Sequence, residues 1–408
     1  CRAFLKKPIS TTEEAFPEVE HKVHVDDLAQ TSTDESRTKV RNTAVEAGVT
    51  IARLMTEKGL AISKKSVVVA SDQELCKQVA SAIKEAGFPI RIEKSAENLG
   101  IESNLRQKRS TKFAKRRFEK ANKRTKRIAA LRKVDARVSR LFSSGTMPQA
   151  TFGAVNWGLS PGQRKELNSM GKEASGPLGF APCRITAAWL KLGFLPSAKT
   201  CAKQIDWWTR LWSEVKEDPV RKENITTAWR YIRDQLRPLE EKERWQLVNG
   251  PISATIALLI EIGWEPSQPD YWVKEGLVAV LGDTSWRDAQ IVAGISDEIE
   301  AEEWRKAAKH EAGKGLEQGR PSFEAWRAVK KVLAKSNQPA FALALDAVVA
   351  GGAIHGSRLS PPKPCLRCGA CNETAEHKNF RCPMNAQIKV EDVFAVEWEK
   401  KTRWLAEV

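Results

Sequence analysis

The chain lacks any apolar run near the roughly 20 residues that a bilayer-spanning helix needs, and no secretory signal opens it. Also missing are a Gly-rich phosphate loop, a His-Glu-x-x-His pair and a Ser/His/Asp constellation, so the commonest phosphate-loop, zinc-protease and serine-hydrolase signatures are excluded. Tryptophan recurs at no fixed period, so no repeat array is indicated. His310 and His355 stand alone and read as surface or internally satisfied side chains. Cysteine is scarce outside one cluster. Four of the eight lie between Cys365 and Cys382, while Cys1, Cys76, Cys183 and Cys201 are scattered. That distribution argues against a secreted disulfide framework and for a metal in a reducing, intracellular compartment.

What is present supports two or three domains. The chain has 408 residues, 29% charged and 41% hydrophobic, enough to bury ordinary cores. It opens on Cys1 rather than Met, which implies a longer reading frame around it. The net charge of +16 is concentrated: between Arg106 and Arg140 sixteen lysines and arginines face only Glu119 and Asp135, so this segment supplies +14. Such a block points to a polyanion-binding surface. It contains no Gly or Pro, and Phe113, Phe118, Ile128, Leu131, Val134, Val138 and Leu141 fall roughly on one helical side. The expectation is a helix, broken once near Asn122, with a thin apolar stripe and a broad cationic face. Arg109, Lys112, Lys115, Arg116, Arg117, Lys120, Lys123, Arg124, Lys126 and Arg127 are the candidate phosphate contacts. Binding of that kind weakens steeply with salt and carries little sequence information.

Upstream, residues 1–20 are polar and Pro-punctuated and read as irregular. Lys22 to Val25 alternates as a strand, and Leu28 to Gln30 returns antiparallel after the pair Asp26-Asp27. Ser32 and Glu35 have the spacing of a capping box. Behind them Val40, Ala44, Val45, Val49, Ala52 and Met55 are spaced as on a helix that Gly59 stops. Leu60 to Ala70 reads as a strand carrying Lys64 and Lys65, and a second helix covers about Asp72 to Ala86.

Thirteen of fourteen tryptophans lie beyond residue 180, many beside charges, and core packing is the favoured account of them. Segments near 201–216, 222–248, 286–315 and 322–350 read as amphipathic helices. After the stiff Pro361-Pro362-Lys363-Pro364 comes Cys365-x2-Cys368-x8-His377-x4-Cys382. Zn2+ takes four soft or borderline ligands in a tetrahedron, and this spacing supplies them, with Gly369 easing the backbone and Cys371 left spare. A unit this small has almost no core, so metal binding would be its folding energy.

Three N-terminal stretches, one at 145–158 and one near the C-terminus together resemble a family. His24-Val25-Asp26-Asp27 resembles the aromatic-x-Asp-Asp motif of reverse transcriptases. Gly59-Leu60-Ala61-Ile62-Ser63-Lys64-Lys65-Ser66 is similar to their next motif, and Glu97-Asn98-Leu99-Gly100-Ile101 to their primer-gripping Tyr-Leu-Gly-Val turn. Residues 145–158 resemble a stretch that follows the thumb, and Glu373-Thr374-Ala375-Glu376-His377 through Cys382-Pro383 resembles the ending of LINE-type polymerase proteins. The resemblance is to non-LTR retrotransposon reverse transcriptases, C-terminal portion. It implies an α+β fold with a partial polymerase palm over 21–105. A mainly α-helical thumb (106–180) and connector (181–360) would follow, then a zinc knuckle and tail (361–408).

It further implies Mg2+-dependent, RNA-templated DNA synthesis in the intact protein, with an RNA template and a DNA primer or target as partners and a nuclear location. Asp26 would be the Mg2+ ligand, Asp27 its support, Lys64 or Lys65 the neutraliser of pyrophosphate, and Leu99 and Gly100 the primer grip. His24 and Asn98 depart from the family's aromatic residues. In the family the first catalytic Asp and the fingers precede the Asp-Asp hairpin by many tens of residues, whereas twenty-five residues precede Asp26. The chain alone is therefore expected not to polymerise, and a non-catalytic nucleic-acid-binding role is the alternative.

Overall fold

Helix α1 (Arg2–Ala15) replaces the irregular lead-in expected over 1–20. Leu5, Pro8 and Thr12 are buried on one side, and Leu5 and Ile9 pack with Ile51 and Met55. Tertiary burial here outweighs the roughly 3 kcal/mol that an internal proline costs a helix. The computed structural model describes the chain except residues 1, 25–26, 99–100, 104, 106–107, 177–181, 283, 314, 336–338, 371, 375–376 and 385–408. Two compact units divide it, 1–115 with 239–253 and 116–238 with 254–408.

In the first unit β1 (Glu20–His24) and β2 (Asp27–Thr31) pair antiparallel, in a register that ends at His24–Asp27. This is the hairpin read from the alternation. Helix α2 (Arg37–Glu57) begins four residues later than Ser32 suggested. Its cap is Ser36, which accepts from the Lys39 N–H, while Asp34 accepts from the Ser36 N–H at 2.8 Å. Gly59, at φ 77°, follows its end. The expected strand over Leu60–Ala70 shrinks to β3 (Val67–Val68), because Ser63 organises a turn. Its hydroxyl accepts from the Lys65 N–H (3.1 Å) and its carbonyl from the Ser66 N–H (3.0 Å). Helix α3 (Gln73–Glu85) falls within the helix read over about Asp72 to Ala86, is capped by Asp72, and leads to β4 (Arg91–Ile92), parallel to β3. Leu75, Val79 and Ile83 of α3 pack on Val40, Ala44, Val45 and Val49 of α2. A second hairpin, β5 (Ala96–Asn98) and β6 (Ile101–Ser103), follows. Among the described residues these strands form separate two-stranded pairs.

Helix α4 (Lys112–Leu131) runs unbroken through Asn122, and the interruption falls instead at residues 132–135. Its buried stripe is Ala114, Phe118, Ala121, Thr125 and Ile128, at three- and four-residue spacing, whereas Leu131, Val134 and Leu141 are exposed. After it α5 (Met147–Thr151) and α6 (Ala154–Trp157) make a tight junction hinged at Gly153 (φ 73°) and Gly158 (φ 62°).

Helices α7 (Pro161–Ser175), α8 (Arg184–Leu192), α9 (Pro196–Val215) and α10 (Pro219–Leu236) continue the second unit. The single helix read over 222–248 is split at Pro238. Its second part, α11 (Glu241–Leu247), belongs to the first unit. Then come α12 (Pro251–Glu261) and an antiparallel meander of β7 (Glu265–Gln268), β8 (Tyr271–Lys274) and β9 (Leu277–Val280). Helices α13 (Ser285–Ala308), α14 (Phe323–Lys335) and α15 (Pro339–Val349) complete the elements.

Tryptophan builds the core of this mostly helical unit, as its abundance suggested. Trp208 and Trp229 meet at 4.9 Å, and their indole N–H groups donate to the carbonyls of Pro269 and Pro266. Trp189 stacks on Phe323, and both Trp189 and Trp304 donate to Glu300. Each ring thus buries its apolar body while its one donor is satisfied. Among the described residues Trp286 departs from this at 69% exposed, and the indole N–H of buried Trp272 has no acceptor. No helix among the described residues is long and apolar enough to cross a membrane.

Candidate metal centre and nucleic-acid interface

Cys365, Cys368, His377 and Cys382 converge so that one donor atom from each lies within 4.8 Å of all the others. Local geometry explains why. The Gly369 N–H donates to the Cys365 carbonyl (2.8 Å) and the Cys365 N–H to the Ala370 carbonyl (2.9 Å), a turn closed by Gly369 at φ 77°. This aims both thiols of Cys-x-x-Cys inward. A helical turn over His377–Arg381 presents His377 and then Cys382, and the Thr374 hydroxyl accepts from the His377 N–H at 3.0 Å. Cys365 Sγ lies 3.9 Å from Cys382 Sγ, and Cys368 Sγ lies 3.1 Å from His377 Nε2. Ligands about 2.0–2.3 Å from a tetrahedral Zn2+ stand roughly 3.5–3.8 Å apart, so the set fits that ion with little movement. The Cys368 N–H lowers the Cys365 thiol to about 6 against the opposing effect of burial, so a thiolate is available near neutrality. Cys371 lies outside the described residues.

The spacing alone did not reveal what anchors this centre. Glu373 is buried and accepts from the Gly356 N–H at 2.6 Å, while its carbonyl accepts from the Ser357 N–H at 3.0 Å. A side chain at 356 would collide with the Lys363 carbonyl, so glycine is required there. His355 is a satisfied buried histidine, with Nδ1 2.7 Å from the Ser357 hydroxyl. The acidic residue of the Glu-Thr-x-Glu-His stretch is therefore a clasp.

Of the residues singled out near the N-terminus, Asp26, Leu99 and Gly100 lie outside the described residues. Asp27 is exposed on β2, paired with His24. Lys64 and Lys65 are exposed in the turn before β3.

Most of the ten cations chosen from sequence sit on α4. Arg109 does not: its N–H donates to the Gln246 carbonyl (2.8 Å) and its guanidinium lies over the Trp245 ring at 5.4 Å, which draws it away from an exposed surface. Lys112 is paired with Glu93 at 3.1 Å. Lys115, Arg116, Lys120, Lys123, Arg124, Lys126 and Arg127 are exposed. Arg117 is half-buried and donates to the Phe152 carbonyl at 3.2 Å. Like charges recur four residues apart, at 116–120, 120–124 and 123–127, each destabilising the helix by about 0.2–0.5 kcal/mol. A bound polyanion would remove that repulsion.

A buried ionic network in the second unit had no sequence signal. Arg164 pairs with Glu261 and, at 3.5 Å, with Glu303; Lys306 also pairs with Glu261. Asn168 and Ser197 each donate to Glu303 at 3.1 Å. Burial raises the Glu261 carboxyl, but Arg164 and Lys306 outweigh it and hold it below the ordinary value. Burial pushes the neighbouring Cys201 thiol up to about 11, so it stays protonated. Two cations balance two carboxylates, which suits a structural role. Comparisons with protein-family models, curated proteins and solved structures found no match.

Proposed function

We propose that this chain holds nucleic acid, as the C-terminal portion of a non-LTR retrotransposon reverse transcriptase. The observation that carries the reading is the convergence of Cys365, Cys368, His377 and Cys382 into one metal-ready set. Zinc units of this size bind single strands rather than catalyse. The exposed cationic face of α4 supports the same reading from a second place in the chain. The order along the sequence adds to it: the β1–β2 pair on either side of Asp26 in sequence, a turn with exposed Lys64 and Lys65, and the β5–β6 pair on either side of Leu99-Gly100 in sequence.

In the intact enzyme, hard carboxylate oxygens at Asp26 would ligate Mg2+, which activates the primer hydroxyl and neutralises the triphosphate. Asp27 would assist, and Lys64 or Lys65 would stabilise the departing pyrophosphate. A second reading, nucleic-acid binding without catalysis, needs only the Cys/His set and the exposed cationic face of α4.

Primer extension with Mg2+ on an RNA template, comparing the chain with Asp26→Asn, separates the two. Extension lost in the variant supports the polymerase, and equal background from both leaves the binding reading alone. Oligonucleotide binding tests what they share. Replacing Arg116, Lys120, Lys123 and Arg127 by Gln should flatten the salt dependence of affinity by a slope of roughly 3–4. An unchanged slope removes α4 from the interface.

A further inference from the structure

We infer that Phe152, set against the Arg117 guanidinium, is a stacking platform for an unpaired nucleobase beside the cationic stripe of α4; this rests on the nucleic-acid reading above. Phe152 caps the end of α5 and is 52% exposed, so much of its ring is open to solvent. It is also fixed. Gly153, at φ 73°, turns the chain immediately after it, and Arg117 Nη1 donates to its carbonyl at 3.2 Å. The same guanidinium lies 5.5 Å from the ring centroid. Two turns along α4, Arg124 Nη1 lies 3.5 Å from Gln149 Oε1, so Arg117 and Arg124 dock one flank of α4 onto α5.

The charge around the ring selects its occupant. Arg116, Lys120, Lys123 and Arg127 are exposed at spacings of four, three and four residues, one continuous stripe. Arg116 and Arg117 are about 100° apart around the helix, so the stripe borders the Phe152 flank. The one acid of α4, Glu119, lies two residues or about 200° from Arg117, on the other flank. There it faces Glu166, whose carboxyl burial and Glu119 together raise. An aromatic face edged by cations and free of α4 carboxylates suits a strand whose phosphates follow the stripe and whose base lies on the ring. A fully paired duplex keeps its bases stacked inside and offers such a ring nothing, so the occupant is single-stranded RNA or DNA.

The test uses the full chain with a labelled single-stranded oligonucleotide carrying 2-aminopurine and with a hairpin-closed duplex. Phe152→Ala should weaken single-strand binding by roughly five- to a hundredfold. It should abolish 2-aminopurine quenching and leave the salt slope unchanged, because no phosphate contact is removed. Phe152→Trp should keep both affinity and quenching. Closed-duplex binding and far-UV circular dichroism should match wild type in both variants, which establishes that they fold. Wild-type single-strand affinity and quenching in Phe152→Ala would overturn the platform, as would an equal loss on the closed duplex. A wild-type chain that binds neither oligonucleotide would overturn the nucleic-acid reading itself, and the platform with it.

Discussion

Chelating the metal should unravel residues 365–382 while leaving the helical part of the second unit folded. The magnitude follows from what holds the segment. Ordering its eighteen residues costs about 18 kcal/mol at the lower figure of roughly 1 kcal/mol per residue. Among the described residues five backbone–backbone hydrogen bonds outside its helical turn fasten it: Cys365 to Ala370, Gly369 to Cys365, Thr374 to Asn372, Lys378 to Thr374, and Ser357 to Glu373. At about 1 kcal/mol each they return some 5 kcal/mol. Among the described residues apolar burial adds little, since the buried side chains in the segment are Cys365, Cys382 and Glu373.

A structural Zn2+ contributes about 10–16 kcal/mol, which brings the sum close to balance. Without it the segment is short by about 13 kcal/mol on the same figures. The assay is limited proteolysis read by mass spectrometry, with and without chelator, beside elemental analysis. About one zinc per chain is expected, with chelator-induced cleavage confined to 361–384. Cys365→Ser should abolish both the metal and the protection. Substituted Co2+ should show the intense visible bands of a tetrahedral thiolate site. Metal-free protein that resists cleavage at 365–382 as well as the loaded form does would refute this reasoning.

Glu261→Gln should cost about 3–5 kcal/mol in urea denaturation, because it leaves Arg164 buried with half its neutralising charge gone. Arg137→Gln, which breaks an exposed pair with Asp135, should leave the urea midpoint close to that of the wild type, and similar losses in the two variants would refute the assignment of burial. Acid should also act through the buried carboxylates. Glu261 sits below its ordinary 4.5 because Arg164 and Lys306 outweigh burial, and Asp346 sits below 3.8 because Lys191 and Lys330 do the same. Groups with lowered folded-state values stabilise the protein above their ordinary values and lose that contribution as pH falls through the lowered ones. The urea midpoint should therefore hold from neutrality to about pH 5 and fall below about 4.5, less steeply in Glu261→Gln. A midpoint flat down to pH 3 would contradict it.

Local pattern carried some of this architecture and long-range packing the rest. The two-residue period at 22–30 and the helical stretch at about 72–86 are short-range signals, and both reappear as β1–β2 and α3. The Cys365, Cys368, His377 and Cys382 cluster was readable because a set that could hold a metal needs particular residue types at short spacing. The tryptophans were readable as core from size alone. Helix α1 was not, since Pro8 is tolerated only through burial against α2. Glu275-Gly276 between the runs Tyr271–Lys274 and Leu277–Val280 is a hairpin signal that the apolar content of the region concealed. Arg164, Glu261 and Glu303 are far apart in sequence and resemble ordinary surface charges until the fold buries them. Glu373 was visible as part of a motif, but its work on Gly356 was not.

Residues 239–253 pack with 1–115 although the chain on both sides of them packs elsewhere. Arg109 rests its guanidinium on Trp245 and its N–H on the carbonyl of Gln246. A fragment cut after residue 115 would thus lack a piece of its own interior, with the Trp245 contact missing. One cut before residue 116 would carry that piece as an orphan, an indole that is buried in the whole chain laid open to water. Dissection by truncation would manufacture insolubility in both halves. A faithful small version needs the 239–253 strip joined back to 1–115 by a linker, and the remainder closed across the gap.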